Sequence, residues 1–452
     1  MGSEFESEIG RLMTQFNSPG IAAEFVTGGK HHSAYMGRLV AGQPHPVSSN
    51  SRFATVCLVK LLVSIELLKL AEKNEVLLDS PIADHLPELG KGPKAKGRQI
   101  KIRHLLSHTG GYRGLPLQKL LPLARESWQN CIELLHEADQ LFEPGTVFDD
   151  DHLGHIILGE LLARLKGKPV LDILGERVLR PLGIASNNRT RDADLPDIYT
   201  GRHVWNRNDR KWEPEPDTYA EPDVASGTIS YLSMSGSDLT RLGQALMTDA
   251  PKGNQAPISD WVRERLFTPQ VAVPREISPM RITRWSVRGF GLGMATFRDG
   301  HKGWVSTGRG QNSALVYGKD RRSMAAIAMN TTNVLEREAL LNMMFARFAG
   351  DPSIKPEPKA TDVDFDEFIS PFSTRDIGGV YVGFAPEPIE IFASPKAFVV
   401  RIDKEDRYRF EASPENRLVM HAKMPMPLGI FRDPTSGQPC LSLGMHSFKK
   451  VG

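Results

Sequence analysis

The stretch from Cys57 to Asp79, CLVKLLVSIELLKLAEKNEVLLD, is apolar nearly all the way round a helical projection. A helix of that kind has to be surrounded by other elements, which requires a layered domain with a substantial core. It is too polar to span a bilayer, because Lys60, Ser64, Glu66 and Lys69 break its apolar run between Leu58 and Leu70. At 452 residues the chain is longer than one core of usual size can serve, so a large domain plus a smaller one is expected.

The rest of the chain supplies partners for that helix. KAKGRQIKIRHLLSHTGG, residues 94–111, reads as a short strand-like piece followed by a helical turn that stops at paired glycines. After the turn at Pro144 and Gly145, Asp149–Asp151 offer caps for an amphipathic helix, LGHIILGELLARLKG. GFGLGMATF, NSALVYG and SMAAIAMN look like neighbouring strands of an antiparallel sheet, closed by a helix at Leu335–Phe348. GDPSIKPEPKATD has the composition of an exposed linker, and GGVYVG, IEIFA, AFVVRI, YRFEA, RLVMHA and LGIF then alternate like short strands. The expected division is a main domain at 6–350, a linker at 351–365 and a small β-barrel or sandwich at 366–452.

Several functions are disfavoured. With 56 basic and 54 acidic residues interspersed and a net charge of +2, the chain builds no field to gather nucleic acid or anionic lipid. Its three cysteines, Cys57, Cys131 and Cys440, are too far apart in sequence for a disulfide framework or a clustered metal site. No phosphate loop, dinucleotide fingerprint or metal-ligand spacing occurs, so no metal and no cofactor are expected. Met1–Phe5 reads like a cloning scar without a secretion signal after it, which makes the cytoplasm the expected location.

Cys57 and Lys60 stand three apart at the start of the buried helix, on one face, where backbone N–H groups lack helical partners. The helix N-terminus and a nearby ammonium both favour a thiolate. Taken singly, such residues are more often a structural cysteine and a lysine whose amine snorkels to the surface.

FATVCLVK, residues 53–60, is similar to the Ser-x-x-Lys nucleophile motif of the serine β-lactamase and penicillin-binding-protein family, with Cys57 in the serine position and Lys60 in the lysine position. LLDSPIADHLPEL, IKIRHLLSHTGG, FEPGTVF, VLRPLGI, ASGTISYLSMSGSDLTRLGQALM and GFGLGMAT follow in family order, over about three quarters of the chain. The resemblance, to class C β-lactamases, D-aminopeptidases and related esterases, implies an antiparallel sheet flanked by helices, an all-helical region and a lipocalin-like C-terminal barrel. His108 in LLSHTGG is structural in that family and is given no catalytic role.

The two remaining motifs are altered. The family's Tyr-x-Asn corresponds to Asp150, Asp151 and His152, so the phenol that shares proton transfer with the lysine is missing. Either His152 serves Cys57 as a base oriented by an aspartate, or Asp150 and Asp151 simply cap a helix and His152 lies on its first turn. The Lys-Thr-Gly motif corresponds to Ser306, Thr307 and Gly308, again without its basic residue, with Arg309 positioned to compensate in part. The resemblance puts the oxyanion hole at the backbone N–H groups of Cys57 and Arg309.

These residues imply an acyltransferase or acyl hydrolase that takes a small-molecule ester, thioester or amide through a Cys57 acyl-enzyme, in specialised metabolism. Two other readings stay open: a cyclase or condensing enzyme with Asp150 and His152 as base, and a binding protein that has lost its chemistry. A laboratory exchange at Cys57 alone would not explain the altered Asp150 and Ser306. The C-terminal strands could border the active-site mouth, act as a spacer or form a homodimer contact.

Overall fold

A computed structural model describes residues 3–55, 57–115, 117–185, 198–206, 209, 211–215, 232–250, 256–273, 276–277, 285–308, 310–354, 379–383, 389–394, 397–402, 405–412, 418–422, 428–443 and 446–451. The expected linker at 351–365 therefore lies outside the described residues from Lys355 onward. Two compact units are present: Met1–Val76, Gly159–Phe267 and Gly293–Lys355 form the first, and Leu77–Leu158, Thr268–Leu292 and Pro356–Gly452 the second.

The first unit contains an antiparallel sheet whose strands run Lys30–Gly37, Gly20–Thr27, Ser323–Met329, Gln311–Tyr317, Lys302–Gly308 and Ala295–Phe297. Gln311–Tyr317 and Ser323–Met329 are buried along their whole length, in keeping with the apolar runs ALVY and MAAIAM within them. The expected closing helix forms as Val334–Met343 and continues in one wider turn, Met344–Phe348; Asn333 accepts the Glu336 N–H at its start.

The helix Leu58–Glu72 is buried at every residue from Leu58 to Leu68, as its apolar circumference requires. Two of its charges meet partners: the fully buried Glu66 meets the Arg177 guanidinium, and Lys69 Nζ donates to the Arg177 carbonyl at 2.6 Å. Among the described residues no helix is long and apolar enough to cross a membrane.

In the second unit, nine strands form an antiparallel sheet in the order Leu418–Ala422, Glu405–Ala412, Ala397–Ile402, Ile389–Ser394, Gly379–Gly383, His446–Lys450, Pro439–Leu443, Leu428–Arg432 and Glu276–Ile277. Six of these were expected from the alternating pattern. The last two strands of the chain were not, and Glu276–Ile277 comes from far upstream.

The helix Leu153–Lys166 starts where Asp149–Asp151 predict. Its expected amphipathic character is corrected: residues 153–159 are buried on every side, and exposure is confined to the last turns. The physical reason is composition, since no charged residue occurs before Glu160.

Candidate active site

The short strand Phe53–Thr55 pairs with Leu232–Met234, fixed by a Thr55 hydroxyl bond to the Leu232 carbonyl at 2.6 Å, and lies against Gln311–Tyr317. It delivers Cys57 to the start of the buried helix. Cys57 adopts φ 60° and ψ 2°, the left-handed region, which costs a residue with a Cβ roughly 1–2 kcal/mol. Its carbonyl accepts the Lys60 N–H at 3.0 Å to open the helix, while its thiol makes no cap bond. Strain of this kind persists where the surrounding packing imposes it, and it clusters at reactive positions.

Exposure separates the three cysteines. Cys57 is half-buried, whereas Cys131 and Cys440 are buried. Burial, helped by Asp433, pushes the Cys440 thiol up to about 12, far from reactivity. Lys60 is 7% exposed, so it does not snorkel to the surface as a lone lysine on a buried helix would.

The Ser306–Thr307–Gly308 strand pairs with the next one in the register Ser306 to Ser313, Thr307 to Asn312 and Gly308 to Gln311. Arg309, expected to supply an oxyanion-hole N–H, lies outside the described residues. Gly310 closes the turn at φ 72°, with its missing Cβ position only 2.6 Å from Arg202 Cβ, so both conformation and space require glycine.

A charge arrives at this strand from elsewhere. Arg337, 6% exposed on the Val334–Met343 helix, donates to Thr307 Oγ1 at 2.9 Å and to Asn312 Oδ1 at 2.8 Å. Burial brings its guanidinium down to about 10, against the opposing carboxylate of Glu338, which leaves it charged at neutral pH. No motif pointed to Arg337; the available signal was the charged run Glu336, Arg337 and Glu338 inside the closing helix.

Asp150 and His152 belong to the second unit, where both readings of their segment can be compared. Asp151 is the cap: its carboxylate accepts the Leu153 N–H at 3.0 Å and the Gly154 N–H at 2.6 Å, and the buried Tyr112 hydroxyl also donates to it. Burial first, and then the Asp151 charge, hold the Tyr112 phenol well above its usual range. The Asp150 carboxylate is partly exposed and stands 3.5 Å from His108 Nδ1, and His152 is half-buried directly before the helix.

His108 organises this segment from below. It is 5% exposed, adopts φ 56°, stacks on His155 at 4.5 Å and meets Phe290 edge-on at 5.1 Å. Its Nδ1 accepts the Asp151 N–H at 3.1 Å, which places the proton of the neutral ring on Nε2. This agrees with the structural role expected for His108. Tyr112 and its bond to Asp151 were missed, because a tyrosine in a glycine-rich turn carries no local mark of its distant partner.

Comparison with known proteins bears on this arrangement. The model of the family described as Beta-lactamase matches residues 5–345. Penicillin-binding protein 4 of Amycolatopsis lactamdurans is 24% identical over 314 residues, covering 68% of this chain and 78% of that protein. Among solved structures, SurE superposes with a TM-score of 0.74 at 17% identity, over 99% of this chain and 98% of that one, and it has also been solved with D-Leu. EstCE1, described as a hydrolase with promiscuous acyltransferase activity, superposes with a TM-score of 0.60 at 18% identity over 75% of this chain and 98% of its own.

Proposed function

The chain belongs to the beta-lactamase family, a superfamily of hydrolases and acyltransferases, and on that premise we propose that it transfers acyl groups through a thioester on Cys57. The observation that carries the proposal is the state of Cys57: half-buried, held in left-handed backbone at the tip of a buried helix, with the buried Lys60 one turn away. In the proposed cycle the Cys57 thiolate attacks a carbonyl of an ester, thioester or amide, and the tetrahedral adduct expels the leaving group, which takes up a proton. An acceptor nucleophile then attacks the thioester, loses its proton to the site base and releases the thiolate. Backbone N–H groups at Cys57 and Arg309 would stabilise the oxyanion in both halves.

A thioester discriminates poorly in favour of water when an amine is near, so transfer to an amine is favoured over hydrolysis. The promiscuous transfer described for EstCE1 and the D-Leu found with SurE support an amine acceptor of amino-acid type. Asp150 and His152 are the proposed base pair for the second half, in keeping with their place in the second motif. The Arg337 charge at Thr307 supports a substrate that carries an anionic group near the reacting carbonyl.

The test is intact-mass analysis after incubation with an activated acyl thioester, with and without an amino-acid amine. A mass gain equal to the acyl group, lost in Cys57→Ala and discharged faster by the amine, is the expected result. An unmodified protein that still binds the thioester would point to a binding protein instead.

A further inference from the structure

In the C-terminal sheet, Phe431 stands opposite Cys440, Cys440 opposite Lys449, and Ser442 opposite Ser447. Residues directly opposite one another project from the same face, so Phe431, Cys440, Ser447 and Lys449 share one face of the last three strands, and Phe448, 2% exposed, faces the other way. That face is packed on the segment Leu141–Asp149. Cys440 joins Leu141, Phe142 and Val147 in one buried cluster with Phe431 against it. Lys449 Nζ donates to the Leu141 carbonyl at 2.8 Å and is paired with Asp433 at 3.3 Å.

The contacts of Ser447 are the informative ones. Its hydroxyl donates to the Phe148 carbonyl at 2.9 Å, and its N–H approaches Asp149 Oδ1 at 3.4 Å, in a site where Ser447 is 2% exposed. The same segment is gripped from its other side, since the Asp149 N–H donates to the His108 carbonyl at 2.9 Å, the Gly145 N–H to Thr109 at 2.7 Å and the Leu141 N–H to Gly111 at 2.8 Å. Apolar packing by Cys440 and Phe431 would suffice to hold the sheet in place. A buried hydroxyl bonded to one carbonyl, two residues before Asp150, fixes in addition the orientation of the peptides that lead into the second motif.

We propose that the C-terminal sheet is the platform that orients Asp150–His152, and that Ser447 is its positioning residue. This rests on the reading that Asp150 and His152 serve acyl transfer. Ser447 touches no reacting atom; it acts through Phe148 and Asp149, much as outer hydrogen bonds orient the ligands of a metal.

The experiment uses the full chain with Ser447→Ala and Ser447→Thr, and reads three quantities. These are the titration midpoints of His108 and His152 by NMR of labelled histidine, amide exchange at residues 149–151, and the rate of acyl-adduct formation. In Ser447→Ala the two midpoints should move, exchange at 149–151 should speed up about tenfold and acylation or discharge should slow by about tenfold, with Ser447→Thr close to wild type. A folded Ser447→Ala protein with unchanged midpoints and exchange overturns the platform. Changed midpoints and exchange without a change in rate leave the platform standing and remove Asp150 and His152 from the chemistry. If Ser447→Ala does not fold, Lys449→Met gives the same readouts through the Leu141 contact, and wild-type exchange at 149–151 in that variant overturns the proposal.

Discussion

Arg337 donates to the Thr307 hydroxyl at 2.9 Å, so a helix thirty residues downstream supplies the positive charge that the Ser306–Thr307–Gly308 strand lacks. Arg337→Met would leave Thr307 and Asn312 without this donor, and should lower stability by about 2–3 kcal/mol. It should also raise KM for thioesters that carry a carboxylate more than for neutral ones of the same size. Chemical denaturation together with paired kinetics on the two substrates checks both parts. An equal rise in KM for the two would mean that the charge serves only the fold.

Cys57 is held at φ 60°, where glycine has no Cβ penalty. Cys57→Gly and Cys57→Ala should both abolish acylation, yet the glycine variant should be the more stable of the two by about 0.5–1 kcal/mol, after its greater chain entropy offsets part of the relieved strain. Thermal melts of the two variants provide the comparison. A more stable alanine variant would argue against left-handed backbone at this position.

Glu336 is fully buried, and its carboxylate oxygens find no hydrogen bond of ordinary geometry. Burial pushes the carboxyl up to about 8, with Ser18 offsetting little of it. Since the group titrates near 4.5 when unfolded, the native state binds the extra proton between those values. Its contribution is complete below the unfolded value and is lost as pH rises through the folded one. Glu336→Gln should remove that loss, widening its advantage over wild type by roughly 3–4 kcal/mol from pH 5 to pH 8 and levelling off above the folded value. Denaturation midpoints across that range are the measurement, and a pH-independent difference would contradict the burial argument.

Asp150 and Asp151 are adjacent but meet different partners, since Asp151 takes two helix N–H groups and the Asp150 carboxylate stands 3.5 Å from His108 Nδ1. Asp151→Ala should therefore cost about 2 kcal/mol or more of stability. Asp150→Asn keeps a side chain of the same size beside His108, so it should lower the melting temperature less than Asp151→Ala does and slow discharge of the acyl-enzyme. Parallel melting and single-turnover experiments separate the roles; a large loss of stability in Asp150→Asn would assign it to the structure as well.

Much of this architecture is written locally. The apolar circumference of Leu58–Leu68 demands burial, the three-residue spacing of Cys57 and Lys60 puts both at one helix tip, and NSALVYG and SMAAIAMN announce central strands of an antiparallel sheet. The aspartates before Leu153 mark a helix start, although sequence alone left it open which of them caps. What stayed hidden has a common property. Arg337 to Thr307, Tyr112 to Asp151 and Ser447 to Phe148 join residues 30, 39 and 299 positions apart, each through one directional hydrogen bond.

From its amino acids alone this chain is committed to a buried helix that presents Cys57, to a strand lacking its usual basic residue and to a run of C-terminal strands, because periodicity and spacing act between near neighbours. Tertiary structure decided the rest: that the charge at Thr307 comes from Arg337, that Asp151 accepts the first N–H groups of its helix, and that Ser447 on the final strand bonds to Phe148. A hydrogen bond between distant segments depends on sheet register and helix packing, and those are settled only when the whole core closes.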